Sequence, residues 1–182
     1  IKYISRCIMD LPLFDNNVNY VEIFVYKKTN SFQLQTALSD DIFYKLLENV
    51  KKKRYKCFHK TNVKTYNSKM EFVTEDGTDN VFEMNIVSHV KFSRNNRDFI
   101  CLKYNKTKKA AYTFPSNEKI YDMISNARYT FKLNNLAYLN FQVSEDFDGN
   151  ITKEVFINVN QARACDDSML LGIINETIAA SF

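Results

Sequence analysis

Alternation of residue type with a period of two runs through most of the chain and constrains its fold more than any other feature. From Tyr20 to Tyr26, aliphatic residues at odd positions alternate with aromatic and acidic residues at even positions. Successive side chains of a strand point to opposite faces of its sheet, so this segment predicts a strand with one aliphatic face and one mixed face. The chain is therefore expected to be mainly antiparallel β.

Turn residues separate the alternating segments. Arg128–Leu133 and Ala137–Val143 flank Asn134-Asn135, and Asp148-Gly149 precedes the strand segment Glu154–Val159. Such pairs suit the positive φ angles of tight hairpins. We expect roughly eight to ten strands, mostly antiparallel. A barrel and a sandwich both give alternating strands with turns at this spacing, so the pattern leaves both open.

Short helices are predicted between the strands. Ser39, Ser116 and Ser168 each precede apolar residues at helical spacing, and Ser is a favoured N-cap. The first helix, Asp40–Lys53, has a basic last turn, which is favourable at a helix C-terminus. A chain of 182 residues suffices for one domain of average size. The prediction is one α+β domain over residues 1–182, mainly antiparallel β (barrel or sandwich) with two or three short helices.

Composition excludes several classes of protein and suggests an origin. With three Gly, the chain has no glycine-rich phosphate loop and no dinucleotide-binding fingerprint. Abundant Asn, Lys, Ile, Phe and Tyr are typical of an AT-rich genome, such as that of a large DNA virus. Four scattered cysteines indicate a reducing compartment, and no apolar run approaches the ~20 residues of a membrane span. We therefore expect a cytoplasmic or virion protein.

A basic segment follows the first predicted helix. Aromatic residues (Tyr44, Tyr55 and Phe58) interleave with it, as phosphate contacts and base stacking require, although a solvated helix end would give the same pattern. A second patch, Lys103 to Lys109, joins it if the two strands are adjacent. The basic segment extends from Lys51 to Lys64, and the predicted polyanion-binding residues in it are Lys51, Lys52, Lys53, Arg54, Lys56 and Lys60.

The order of the elements resembles the triphosphate-tunnel family, the RNA triphosphatases of viral and fungal mRNA capping. The resemblance spans Asn19 to Asn160. The segments that carry it are Val21–Val25, the helix after Ser39, Asn126–Phe131, Leu136–Val143 and the closing strand Thr152–Asn158. The resemblance implies an antiparallel barrel whose first and last strands carry alternating glutamates that hold a divalent metal.

Only part of that glutamate pattern occurs in this sequence. Glu22 in the first strand and Glu154 in the last match metal-binding glutamates, whereas aromatic or amide residues hold the other positions. The resemblance further implies that Arg128 and Lys132 line the tunnel; ordinary exposed charge would explain all four residues as well. Two carboxylates are few for a hard cation that must also hold a triphosphate, so we expect catalysis to be lost.

Two functions from different classes follow. The first is a non-enzymatic structural or accessory subunit that binds other proteins in a larger assembly, such as a viral one, through an outward aromatic face formed by Tyr20, Phe24 and Tyr26. The alternative is a tunnel-type RNA 5′-phosphohydrolase or its inactive relative. Protein partners are expected, nucleic acid would bind through the basic segment, and no cofactor is predicted.

Overall fold

Eight antiparallel strands close into a barrel in the computed structural model, which describes residues 18–26, 36–67, 70–75, 77–94, 97–109, 122–160 and 172–176. The order around the barrel is β1-β5-β4-β3-β2-β6-β7-β8, and β8 pairs again with β1. Closure removes every sheet edge and decides between the barrel and the sandwich. The strands are β1 (Tyr20–Tyr26), β2 (Cys57–Asn67), β3 (Met70–Glu75), β4 (Thr78–Arg94), β5 (Arg97–Lys108), β6 (Asp122–Lys132), β7 (Ala137–Glu145) and β8 (Ile151–Asn160).

The structure confirms the two predicted hairpins, which join β6 to β7 and β7 to β8. Between β6 and β7, Asn134 Oδ1 accepts hydrogen bonds from the backbone N–H groups of Leu136 and Ala137, at 2.8 and 2.9 Å. Between β7 and β8, Gly149 adopts a φ of 81°, and the Asp146 carboxylate accepts a hydrogen bond from the Asn150 backbone N–H at 2.9 Å. Asx-type bonds of this kind fix the turn and with it the strand register.

The two faces of β1 have opposite environments. Val21, Ile23 and Val25 are buried in the apolar core outside the barrel, whereas Tyr20 and Phe24 line cavities inside it. The predicted outward aromatic face is therefore wrong for Tyr20 and Phe24. The physical reason is that a helix covers the aliphatic face of the sheet, so closure turns the mixed face inward.

That covering helix is α1, Asp40–Lys51, which begins after Ser39 as predicted and ends two residues before the predicted Lys53. The residues that it buries are those of its predicted apolar face. The ring of Phe43 packs edge-on against Phe141 of β7, with centroids 5.7 Å apart. The buried residues of α1 are Phe43, Leu46, Leu47 and Val50.

A second helical stretch, residues 172–176, adds Ile173 and Ile174 to the same core. It agrees with part of the predicted final helix, and Ser116 and Ser168 lie outside the described residues. The helix predicted after Ser116, with Met123 and Ile124 on its inward face, is wrong at these two residues, because both belong to β6 and pair with β2. Within the described ranges, no helix has the length and apolar character that a membrane crossing requires. Helical packing therefore lies on the outside of the barrel, and the interior is left to the strands.

Candidate functional site

The interior of the barrel, hereafter the tunnel, holds two adjoining cavities. The first has a volume of about 520 Å³ and the second about 400 Å³. Tyr20, Lys64, Glu71 and Lys106 line both of them. Cavities of this size accommodate small-molecule ligands. The tunnel is therefore the candidate site, and the two cavities meet at a ring of charged residues.

We call Glu22, Lys64, Glu71 and Lys106 the charged belt. Lys64 Nζ lies 3.7 Å from Glu71 Oε1, which is longer than the 2.7–2.9 Å of a direct charge-assisted hydrogen bond. Lys106 Nζ lies over two aromatic rings, 4.6 Å from the centroid of Tyr20 and 4.4 Å from that of Phe82. Such cation–π contacts hold an ammonium group in place without consuming its hydrogen-bond donors.

Burial disfavours the charged forms of Glu22 and Lys106. It raises the pKa of Glu22; Lys64 and Lys106 counteract this rise, and Glu71 adds to it. Burial also lowers the pKa of the Lys106 ammonium group, mainly by removing it from water. An anionic ligand would favour the charged form of Lys106, because an opposite charge nearby offsets the loss of solvation.

Arg128 of β6 provides the principal cation of the second cavity. Its Nη2 lies 3.9 Å from Glu75 Oε2, and Lys60 Nζ approaches the same carboxylate at 3.8 Å. Two buried donors in this region, Arg128 Nε and Asn62 Nδ2, have no hydrogen-bond partner among the described residues. Because unsatisfied buried donors are costly, their presence on the wall of a cavity indicates a place for an acceptor.

A chain of hydrogen bonds orients the Asn62 donor. Asn126 Nδ2 donates to Asn62 Oδ1 at 2.9 Å, and Ser144 Oγ donates to Asn126 Oδ1 at 2.7 Å. Gln142 Nε2 donates in turn to Ser144 Oγ at 3.3 Å. Since the Asn62 carbonyl oxygen already accepts a bond, its amide nitrogen is the group left open. Strands β2, β6 and β7 thus present polar groups in a fixed orientation.

The divalent metal implied by the family resemblance does not fit the residues present. In the register of β1 and β8, Glu22 lies opposite Asn158 and Phe24 lies opposite Phe156. The rings of Phe24 and Phe156 stack with centroids 4.9 Å apart and occupy the positions between the two retained glutamates. In the part of the chain that the structure describes, no three His, Cys, Asp or Glu side chains are grouped to hold a metal.

Glu154 lines the first cavity, as Glu22 does. However, it lies four residues from Asn158, the residue opposite Glu22, which corresponds to about 13 Å along a strand. Thr36 Oγ1 donates a hydrogen bond to its carboxylate. The register of β1 and β8 places the two carboxylates at different heights in the barrel. A metal held jointly by Glu22 and Glu154 stays a prediction.

The barrel divides the predicted basic segment between two surfaces. Lys51 to Lys56 are exposed near the C-terminal end of α1, where Lys51 Nζ lies 5.2 Å from the centroid of the Tyr129 ring. Lys60 instead pairs with Glu75, which lines the second cavity. The second basic patch is not on a strand adjacent to the first, because β2 pairs with β3 and β6 and not with β5. Lys64 and Lys106 of the two patches nevertheless line the same two cavities.

The two basic residues implied by the resemblance also separate. Arg128 lines the second cavity, whereas Lys132 is not among the residues that line the two tunnel cavities. No signal in the sequence points to Glu71. The two basic patches were expected to join only through adjacent strands, whereas Lys64 and Lys106 lie on strands that do not pair and line the same cavities. Alternation places Lys106 on the same face as Tyr104, but nothing in the sequence shows that this face points inward.

Solved structures of RNA triphosphatases resemble this chain over nearly all of its length. The S. pombe Pct1 RNA triphosphatase aligns with a TM-score of 0.69 at 8% identity, covering 99% of this chain and 90% of that chain. Pct1 has also been solved in complex with the Spt5 CTD. The Mimivirus capping enzyme triphosphatase aligns with a TM-score of 0.61 at 8% identity, covering 100% of this chain and 96% of that chain.

No protein-family model and no curated protein sequence matches the chain. The likeness is therefore one of architecture, since identity is below a tenth of the aligned residues. This similarity of fold agrees with the order of elements predicted from the sequence and with the closed eight-stranded barrel. In its fold, this chain resembles the triphosphate-tunnel family of RNA triphosphatases.

Proposed function

We propose that the tunnel binds the polyphosphate group of a nucleotide or RNA 5′ end and does not hydrolyse it, so that the chain is an inactive relative of the RNA triphosphatases. The single observation that carries this proposal is the convergence of Lys64, Lys106 and Arg128 on adjoining cavities, beside two buried donors without a hydrogen-bond partner in the described ranges. Guanidinium, ammonium and amide N–H groups are the donors that phosphate oxygens accept.

The carboxylates of the tunnel leave room for such a ligand. Glu71 and Glu75 lie 3.7 and 3.9 Å from Lys64 and Arg128, so these ion pairs do not occupy the donors at hydrogen-bonding distance. A phosphate oxygen at 2.7–2.9 Å would form the shorter bond. The carboxylates also limit the excess of positive charge in the free tunnel, which lowers the cost of burying three cations.

We expect no hydrolysis, because the residues at the centre of β1 and β8 do not supply the oxygen ligands that a catalytic metal needs. Phosphoryl transfer in a metal-dependent site requires an ion that bridges phosphate oxygens and is held by several carboxylates. At the centre of β1 and β8, the stacked rings of Phe24 and Phe156 provide no oxygen ligand. Binding without turnover is the activity that these residues support.

Calorimetric titration of the full chain with inorganic tripolyphosphate, in buffer with EDTA, tests binding. We expect Arg128→Gln and Lys64→Gln each to weaken the affinity by about 10- to 100-fold, the usual effect of losing a charged hydrogen bond. Lys45→Gln removes an exposed charge of α1 and is the matched control. Equal affinities in all four proteins, or no binding by the parent, would overturn the proposal.

A phosphate-release assay on triphosphate-ended RNA with Mg²⁺ and Mn²⁺ tests the absence of hydrolysis. We expect no release above background. Release that disappears in Glu22→Ala would show that the chain is an active phosphohydrolase and that the inactive assignment is incorrect. Release that persists in Glu22→Ala would point to a contaminating enzyme, and the assay is then repeated on protein purified by a second route until the parent shows one of the first two results.

Polyanion contact outside the tunnel is a second candidate function. It is favoured by the exposure of Lys51, Lys52, Lys53, Arg54 and Lys56 around the end of α1, beside the half-exposed ring of Tyr129. Such a surface predicts an affinity for RNA that falls steeply with salt. The triple change Lys51→Gln, Lys52→Gln and Lys53→Gln would flatten that salt dependence, whereas an unchanged slope would contradict the assignment.

An accessory role with protein partners is also retained as a proposal. Pct1, which shares this fold, has been solved with the Spt5 CTD bound, so a barrel of this kind is compatible with peptide binding. On the outside of the present barrel, Val63, Ile151 and Phe147 are exposed apolar residues. Cross-linking in the source cell, followed by identification of the linked peptides, would locate such a contact or show that none forms.

A further inference from the structure

A groove of about 420 Å³ lies on the outer face of the barrel, separate from the tunnel. Its wall is formed by five neighbouring strands, from β3 through β2, β6 and β7 to β8. Most of the accessible wall is carbon, and Ile151 in it is 63% exposed. Exposed apolar side chains that converge on a concave surface mark a place for a partner. The apolar residues of the groove are Val63, Ala127, Val143 and Ile151.

Strand register makes the groove the uncovered continuation of the face that α1 covers. Ala127 lies opposite Val143 across β6 and β7, and the next outward residue of β7 is Phe141. Phe141 is fully buried, and Phe43 of α1 packs on it. In the other direction, Glu145 and Ile151 pair across the turn that presents Phe147, which is 79% exposed. The apolar layer under α1 therefore extends to an open surface.

The charge at this groove is negative. Glu145 is the charged residue that lines it within the described ranges. Thr74 Oγ1, at the β3 side of the groove, donates a hydrogen bond to Asp79 Oδ1 at 2.6 Å, which places a second exposed carboxylate beside the wall. Lys153, opposite Val143, has its Nζ 2.7 Å from Asp40 Oδ1, so its charge is already compensated. The groove thus has the opposite sign to the whole chain, whose net charge is +4.

We infer that this groove docks a cationic amphipathic helix of a protein partner. The apolar side of that helix covers Val63, Val143 and Ile151, and its Lys or Arg side chains lie beside Glu145 and Asp79. This inference rests on the accessory role proposed above and not on the tunnel, and it adds the surface and the chemistry of the partner. Nucleic acid does not fit the groove, because its phosphates would be repelled by the two carboxylates.

The closed barrel favours a helix over an extended peptide. A strand adds to a sheet through hydrogen bonds at a free edge, and the barrel has none. A partner on this face must therefore bind through side chains. The face already accepts a helix in α1, and a second helix beside it would complete the same layer.

Fluorescence anisotropy of two labelled peptides on the full chain tests the inference. Each peptide has about 14 residues with leucines on one face, and a lactam bridge holds it helical because isolated helices of this length are marginal in water. One peptide has lysines on its flanks, and the other has glutamates at the same positions. We expect the lysine peptide to bind about tenfold or more tightly than the glutamate peptide, because its charge is complementary.

Two variants assign the binding to the groove. Val63→Ser is expected to weaken the lysine peptide about threefold to tenfold through the loss of apolar contact. Val87→Ser is the matched control, because Val87 is 38% exposed, against 39% for Val63, and does not line the groove. The double change Asp79→Lys/Glu145→Lys is expected to reverse the preference, so that the glutamate peptide binds more tightly. This gain of binding would also show that the double variant is folded.

Each outcome decides for or against the inference. No binding of either peptide, equal binding of both, or equal losses in Val63→Ser and Val87→Ser would overturn it. Self-association of the parent that Val63→Ser abolishes would assign the groove to a second copy of this chain and would also overturn it. Titration of the same proteins with tripolyphosphate separates the two proposals. A parent that binds the lysine peptide but not tripolyphosphate would refute the tunnel function and leave this inference standing.

Discussion

The ring of Phe24 on β1 stacks on the ring of Phe156 on β8, with centroids 4.9 Å apart and an interplanar angle of 27°. The two residues are direct cross-strand partners. By the family resemblance, carboxylates that hold a metal occupy this part of the first and last strands. An apolar pair therefore stands in the wall of the first cavity, at positions where the family resemblance implies oxygen ligands for a metal.

Restoring carboxylates at the two positions should create a metal site. We expect the double change Phe24→Glu/Phe156→Glu to give a protein whose melting temperature rises with Mn²⁺, because a ligand that binds only the folded state stabilises it. At a metal concentration of 100 times the dissociation constant, this stabilisation is about 2.7 kcal/mol. The matched control is Phe24→Gln/Phe156→Gln, which has the same size without the charge. An equal response of the two variants to Mn²⁺ would contradict the prediction.

The contact between α1 and the barrel should dominate stability. Phe43 is 1% exposed and packs edge-on against Phe141, so Phe43→Ala leaves a cavity that its neighbours cannot fill. We expect a loss of about 3–5 kcal/mol in the free energy of unfolding, measured by urea denaturation. Lys45→Ala, on the exposed face of the same helix, should change it by less than about 0.5 kcal/mol. Similar losses in the two variants would show that α1 is not packed in this way.

Stability should depend on pH through Glu22. Burial raises the pKa of this carboxyl, so over the pH range above the usual glutamate value the folded state binds more protons than the unfolded state. Its contribution to stability is therefore present at low pH and lost as the pH rises through the folded pKa. We expect Glu22→Gln to gain stability relative to the parent as the pH rises above the usual glutamate value, as measured by urea denaturation. Glu48→Gln, on the exposed face of α1, is the control; a constant difference between parent and Glu22→Gln would refute this expectation.

The chain of side-chain hydrogen bonds in the tunnel wall should contribute to the stability of the protein through Asn126. Asn126 donates to Asn62 and accepts from Ser144, so Asn126→Ala leaves the Asn62 carbonyl oxygen without this donor and the Ser144 hydroxyl without this acceptor. The expected loss is about 1–3 kcal/mol in the free energy of unfolding. Ser125→Ala, at an exposed position on the opposite face of β6, serves for comparison, and a loss as large there would argue against the hydrogen-bond explanation.

Local sequence patterns were sufficient to predict several elements of this fold. The alternation in Tyr20–Tyr26 predicted β1, and the Asn134-Asn135 and Asp148-Gly149 pairs predicted the last two hairpins. The apolar spacing after Ser39 predicted the buried face of α1. Each of these depends on residues close together in the chain, whose geometry is set by backbone sterics and side-chain direction.

The site could be predicted only in part. Glu22 and Arg128 were identified through the family resemblance and both line the tunnel. Glu71 was not identified, because a single glutamate in a short strand carries no local signal. Lys132 lies four residues beyond Arg128 on the same strand face but beyond the cavities, since a shared face does not fix the position along the barrel axis.

By itself, the sequence determined the strands, their turns, the helix that covers the barrel and the loss of glutamates at Phe24 and Phe156. Only the tertiary structure decided that the mixed face of β1 points inward and that Lys64 and Lys106, from strands that do not pair, meet in one tunnel. The reason is physical, because alternation shows only that a strand has two different faces. Barrel closure and strand register decide which face is enclosed, and which side chains that are distant in sequence lie at the same height along the barrel axis.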